Sequence, residues 1–316
     1  MHLNHFVRTL GVRFLVQNLK SDELQGHVDR RARKRYHGRQ LSPVTLRKET
    51  ASFRACWNWA VLSGKLTGTF PSRAVRYPKA TEKPPFRTWS EIERQIARGG
   101  LSQQEQEDAW DCLLLLLPEI SELQNYVQEQ ASQPFLYPMC VFAAHTWARR
   151  SEILRVRLED LDLVGGTVLV REKKRVRGIR STRRVPLFPF LVGVLADWLK
   201  SHPGGQHLFC QVPDIIRSRR KRQVPSAVTR DEAHDHLHRT LAGSKWAVLR
   251  GWHVFRHSFC SNLAAAGVDQ RLIDSWVGHT TEEMRRRYRH LIPNQEQQVI
   301  MSVFGDMPAN MAISTS

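Results

Sequence analysis

Long apolar runs are missing from this chain. The longest, residues 112–117 (Cys-Leu-Leu-Leu-Leu-Leu), is closed by Pro118, far short of the roughly 20 residues a membrane helix needs. It reads instead as a core helix. The N-terminus mixes His, Asn and Arg with its apolar residues and lacks an apolar segment followed by a small-residue cleavage site, so no secretory signal is read there. Cysteine is sparse: Cys56, Cys112, Cys140, Cys210 and Cys260 are widely spaced, odd in number and never form Cys-x-x-Cys. That excludes a disulfide framework and a zinc site, leaving small buried hydrophobes. No internal repeat or low-complexity tract is visible. No acidic triad suited to metal-dependent phosphate chemistry emerges either. His234, Asp235, His236 and His238 could suggest a metal, but they read as an amphipathic helix, and no metal site is assigned.

Acidic residues are also scarce relative to basic ones. The 316 residues carry 30 Asp and Glu against 48 Lys and Arg, for a net charge of +18, while 41% are hydrophobic, enough for two domains with real cores. The excess recurs in runs at 30–35, 171–175, 180–184, 217–222 and 285–287. A polyanion is the expected partner, nucleic acid first, and with no secretory signal read a cytoplasmic, nucleoid-associated location is expected.

Residues 3–78 read as helices. The clearest covers 45–62, with Phe53, Trp57 and Val61 at i, i+4 and i+8 packing inward and Gly64 ending it. The basic flank 30–39 is the better DNA-facing candidate, through Arg31, Arg33, Lys34 and Arg35. Paired prolines within 78–85 predict an extended linker. A helix then restarts with Ser90 as N-cap, and a Gln-rich segment, 102–132, surrounds the leucine run. Residues 135–146 predict a helix, 147–150 a tight turn, and Ser151 caps a further helix. Segments 165–170 and 183–188 predict a small β-hairpin around a basic connection. The fold class is therefore mainly α with a small antiparallel β-sheet.

Chemistry concentrates near the C-terminal end. A helix from His253 ending at Gly267 presents Phe255, Phe259 and Leu263 on one stripe and His253, Arg256 and Cys260 on another. Arginine offers a forked donor set that matches phosphate oxygens, and neutral histidine relays protons near pH 7. Tyr288 follows a Thr280/Glu283 capping box and is flanked by Arg285, Arg286, Arg287 and Arg289. A tyrosine hydroxyl titrates near ~10, so cations or a base are needed to make it a nucleophile.

In combination these boxes resemble the tyrosine recombinases, the family of phage integrases and chromosome dimer-resolution enzymes. The resemblance rests on His253-Val-Phe-Arg256-His-Ser-Phe259, Leu272-Ile-Asp-Ser-Trp-Val-Gly-His279 and Tyr288-Arg-His290. Upstream, Thr146-Trp-Ala-Arg149-Arg-Ser-Glu152 resembles the first arginine box, and the hairpin ending Arg-Val-Pro-Leu resembles the lysine-bearing β-turn. It implies a two-domain architecture: a helical core-binding domain at 1–79 of the SAM-like type, a linker at 80–88, a mixed α/β catalytic domain at 89–306 and a flexible tail at 307–316, the two domains clamping duplex DNA.

The resemblance further implies a site-specific recombinase or integrase that cuts and rejoins DNA through a 3′-phosphotyrosine, without metal, ATP or other cofactor. Arg149 and Arg256 would clamp the scissile phosphate, Tyr288 would attack it, and His253 would assist the tyrosine's deprotonation. His279 would donate a hydrogen bond to the phosphate, and a hairpin lysine, Lys174 in preference to Lys173, would protonate the leaving 5′-oxygen. Glu152 would orient Arg149 or His253, with His290 in support. Arg175, Arg177 and Arg286 join the DNA-binding set, and a homotetramer on two DNA sites is the implied assembly. The family has glycine where Trp147 stands, so a differently shaped turn is expected before Arg149. A type IB topoisomerase-like relaxing enzyme and a catalytically silent DNA-binding regulator on the same fold remain the alternatives.

Overall fold

The computed structural model describes residues 2–36, 39–79, 84–171, 182–211 and 225–277. The chain separates into two compact units, Met1–Lys83 and Pro84–Ser316. It is mainly helical with small antiparallel sheets.

In the first unit, α1 (His2–Leu10), α2 (Ser21–Arg33) and α3 (Pro43–Leu62) enclose Phe6, Leu19, Leu24, Phe53 and Trp57, while β1 (Arg35–Tyr36) pairs with β2 (Arg39–Gln40). Ser42 caps α3, accepting from the Thr45 N–H with Pro43 in the first turn, where its missing N–H costs nothing. Phe53 and Trp57 are buried, as their spacing predicted. Helix does not continue to residue 78: α3 ends at Leu62, Gly64 follows at φ +67°, and 65–79 run as turns and coil.

One expectation reverses here. Arg31 is not presented to solvent. Its guanidinium turns inward and grips Glu49 of α3 through Nε to Oε2 (2.9 Å) and Nη2 to Oε1 (2.5 Å). Glu49 is 1% exposed, so the carboxylate survives burial only because this fork compensates its lost hydration. Arg33, Lys34 and Arg35 remain exposed.

His27 completes the network, with Nδ1 at 2.6 Å from the Thr9 hydroxyl, Nε2 at 3.5 Å from Glu49 and its ring stacked on Phe6. Burial drives its pKa down to about 4, with Arg31 adding to the effect and Glu49 opposing it.

The second unit is built around α7 (Leu136–Thr146), buried on nearly every face and therefore without amphipathic period, as a central helix must be. Around it lie α4 (Trp89–Ala97), α5 (Gln103–Trp110), α6 (Leu117–Gln130), α8 (Arg150–Ile153), α9 (Pro189–Lys200), α10 (Arg230–Leu241), α11 (His253–Ala265) and α12 (Gln270–Val277). A three-stranded sheet orders β3 (Leu161–Asp162), β4 (Thr167–Arg171) and β5 (Thr182–Pro186), and β6 (Cys210–Gln211) pairs with β7 (Ser226–Ala227). The predicted hairpin is β4–β5, in register Val170 to Arg183, with β3 as a third strand.

The leucine run is not a helix. Cys112 closes a turn, Leu113 bridges in parallel to Arg87, 114–116 lie outside helix and strand, and only Leu117 enters α6. Their buried backbone groups need partners, and Arg87 and α11 supply them: Leu114 N–H donates to the Arg87 carbonyl (2.8 Å), Leu115 N–H to Ser258 Oγ (2.8 Å), and Asn262 Nδ2 to the Leu115 carbonyl (2.8 Å). Thr88, not Ser90, caps α4, in a capping box with Glu91; Glu93, which Ser90 would have needed, is held by the Trp89 indole at 2.7 Å. Among the described residues no helix is long and apolar enough to cross a membrane.

The depressed His27 pKa fixes a pH dependence. The unfolded chain takes up the proton near 6.5 and the folded chain near 4, so stability present above pH 6.5 is lost as pH falls toward 4, by on the order of 3 kcal/mol. Urea midpoints measured from pH 7 to pH 4.5 should fall in the wild type, and less steeply in His27→Gln. Equal slopes would remove His27 as the cause.

Candidate active site

Helix α7 ends at Thr146, whose hydroxyl donates back to the Phe142 carbonyl (2.6 Å), and the chain turns at Trp147 with φ 44° and ψ 13°. This is the left-handed conformation that glycine favours, and Trp147 alone among the described non-glycine residues has positive φ. The indole, 3% exposed, stabilises it. Its ring packs on Phe259 of α11 (centroids 4.4 Å apart) and Trp276 of α12 (5.9 Å), and its N–H donates to the Trp276 carbonyl. The Trp147 carbonyl in turn accepts from Arg256 Nη1 of α11 at 2.6 Å.

Two residues on, Arg149 is the N-cap of α8. Ser151, predicted as the cap, lies inside this one-turn helix; the end is closed by Glu152, whose Oε2 accepts from the Arg149 N–H at 3.0 Å. Glu152 Oε1 accepts from Arg149 Nη1 at 2.7 Å, and Oε2 also accepts from Arg183 Nη2 of β5 at 2.9 Å. The carboxylate is 3% exposed, the Arg149 side chain 37%. Burial pushes the Glu152 pKa up, but Arg183 and Arg149 outweigh it and hold the group ionised. Arg149 is thus fixed on one edge by a buried anion while much of it stays open to solvent.

Arg256 is the buried partner cation. Burial, then the charge of Arg149, lower its pKa to about 10, still protonated at neutral pH. His253 lies one turn earlier on the same helix. Although His253 stays exposed, partial desolvation and then Arg256, Arg150 and Arg149 lower its pKa, which favours the neutral imidazole that can accept a proton. It also lines a cavity of about 330 Å³ with Arg150, His234, Trp252 and His257. Two guanidiniums beside a neutral imidazole form a site for a tetrahedral anion undergoing proton transfer.

The structure therefore brings together Arg149, Glu152, His253 and Arg256. Lys173, Lys174, Arg175, Arg177, His279, Arg286, Tyr288 and His290 lie outside the described residues. Arg183 was missed, although strand alternation placed it on the same inward face as buried Val185. Among the described residues no three His, Cys, Asp or Glu side chains group as metal ligands. His234 and His238 lie on α10, their rings 4.1 Å apart.

The fold is that of the tyrosine recombinases. It resembles the Tn1549 transposon integrase solved with a circular intermediate DNA (TM-score 0.58, 16% identity, 95% of this chain and 92% of that one). It also resembles the lambda integrase dimer bound to a core site (TM-score 0.55, 14% identity, 91% and 85%). In sequence, the family model described as the phage integrase family matches residues 115–295, and the chain belongs to that family. Similar curated proteins include the tyrosine recombinase XerC of Xanthomonas campestris pv. campestris strain B100, 25% identical over 260 residues, 81% of this chain and 66% of that protein. The type 1 fimbriae regulatory protein FimB of Escherichia coli K12 is 29% identical over 145 residues, 46% of this chain and 64% of that protein. The match thus spans just under two thirds of the XerC relative's own length.

Trp147→Gly tests which term dominates at the turn. Relief of left-handed strain is worth about 1–3 kcal/mol, but the lost buried indole costs about 3–5 kcal/mol. The variant should be less stable by about 2 kcal/mol, read from the urea midpoint. A gain in stability would show that strain outweighs packing.

Proposed function

We propose that this chain is a site-specific DNA recombinase that cuts and rejoins strands through a 3′-phosphotyrosine. The observation that carries the proposal is the convergence of Arg149, Arg256 and His253, with Arg149 fixed by buried Glu152. Arg149 and Arg256 bind the non-bridging oxygens of the scissile phosphate and stabilise the charge that builds on them in the pentacoordinate transition state. Tyr288 Oη attacks phosphorus as its proton passes to His253. The bond from phosphorus to the 5′-oxygen breaks, and Lys174, or Lys173, protonates that oxygen. His279 donates a hydrogen bond to the phosphate.

The phosphotyrosine retains the bond energy, so the 5′-hydroxyl of another strand reverses the step without ATP, and no proposed step uses a metal. Duplex DNA is the partner, bound through phosphate contacts that include the exposed Arg33, Lys34 and Arg35 and drawn by the net charge of +18. A homotetramer on two DNA sites is the assembly in which strand exchange takes place.

A DNA duplex carrying the target site, nicked next to the crossover so that the cut end diffuses away, should trap a covalent protein–DNA adduct in EDTA. Tyr288→Phe should bind the site and form none. An adduct with the phenylalanine variant would reassign the nucleophile. Binding by the wild type with no adduct would favour the silent regulator, and relaxation of supercoils without any site requirement the topoisomerase.

A further inference from the structure

We propose that Arg183 is a positioning residue for Arg149, acting through Glu152; the proposal rests on the recombinase reading above. The Glu152 carboxylate is shared. Its Oε1 takes the Arg149 guanidinium at 2.7 Å, and its Oε2 takes both the Arg149 N–H at 3.0 Å and Arg183 Nη2 at 2.9 Å. The two ends of this chain differ in burial, with 37% of the Arg149 side chain exposed but only 13% of Arg183. The outer arginine is the one that meets a phosphate. The inner one is built into the scaffold.

Arg183 comes from a different element than the group it serves. It sits on β5, paired in register with Val170 of β4, and Val185 two residues on is fully buried, so the strand's inward face aims the guanidinium at α8. The sheet is tied to the same region by a second arginine: Arg155, just after α8, donates through Nε (3.3 Å) and Nη2 (3.1 Å) to the carbonyl of Arg171 on β4. Arg183 is thus held by a rigid sheet and fixes where Glu152 Oε2 lies.

The charge balance makes the second cation necessary. A carboxylate 3% exposed keeps its charge only against strong partners. With Arg149 alone, a phosphate arriving at that guanidinium competes directly with Glu152 for it. Arg183 holds Glu152 ionised and oriented from behind, so Arg149 can engage the phosphate without giving up its anchor. Without Arg183 the carboxylate is freer to rotate or take up a proton, and Arg149 loses the orientation that directs it to a developing negative charge.

The test compares single-turnover cleavage by wild type, Arg183→Met and Arg183→Lys on a phosphodiester and on the two methylphosphonate diastereomers of the same site. A methyl group in place of one non-bridging oxygen removes the charge that Arg149 stabilises. On the phosphodiester, Arg183→Met should be slower by about 100-fold, with Arg183→Lys intermediate because one ammonium still reaches Glu152. On one methylphosphonate diastereomer the loss should largely vanish. Equal losses on all three substrates would mean that Arg183 only supports the fold, and wild-type rates in Arg183→Met would also overturn the proposal. A wild-type protein that binds the site but leaves every substrate uncut overturns the recombinase reading itself, and this proposal with it.

Discussion

The buried carboxylate of Glu152 is the interaction on which the rest of the site depends. An ionised carboxylate taken out of water loses several kcal/mol of hydration, and here that loss is offset by two guanidiniums and one backbone N–H. The same three contacts close the first turn of α8, dock β5 against it and hold Arg149 half exposed. Cap, sheet docking and orientation of the solvent-facing Arg149 are therefore one network. Changing any member leaves a buried charge without full compensation, so each contact bears on both the local fold and the site.

Trp147 closes the opposite side. A bulky residue in the left-handed region costs of order 1–3 kcal/mol and persists only where its surroundings dictate it. Here the surroundings are the indole wedged between Phe259 and Trp276 and the carbonyl that receives Arg256. The turn expected to be reshaped by the loss of glycine takes the conformation glycine prefers, and packing across α11 and α12 offsets the strain. One residue thereby joins the first arginine to the second, through backbone on one side and an aromatic ring on the other.

Much of this is legible in the sequence. Helices α3 and α11 and the β4–β5 pair were carried by periodicity and by flanking Gly and Pro, α7 by the helix–turn–helix pattern that begins at Pro134, and the grouping of Arg149, Glu152, His253 and Arg256 by ordered motifs. The leucine run was misread because a short apolar stretch has no period of its own. Whether it coils or extends was decided by distant partners, Arg87 and the α11 residues Ser258 and Asn262. The caps at Ser90 and Ser151 failed for a local reason. Competing S/T-x-x-E frames overlap at residues 88–93, and at α8 the carboxylate of Glu152 closes the turn without any hydroxyl.

Arg31 failed for a reason that bears on how basic chains are read. Among the described residues three buried acids are each gripped by arginine: Glu49 by Arg31, Glu152 by Arg149 and Arg183, and Asp160 by Arg171 through Nη2 at 2.5 Å and Nε at 2.9 Å. In all three, burial works to raise the carboxyl pKa and the arginines overcome it. Arg31, Arg171 and Arg183 each sit in a basic run that sequence alone offers as a nucleic-acid surface, yet each is paired with a buried carboxylate, Arg171 with its side chain still 32% exposed. A run of arginines is therefore a mixture of interior and exterior charges. The sorting rule is the position of the nearest buried acid rather than the density of the run, and by that rule Arg33, Lys34 and Arg35, exposed beside buried Arg31, count among the exterior charges of theirs.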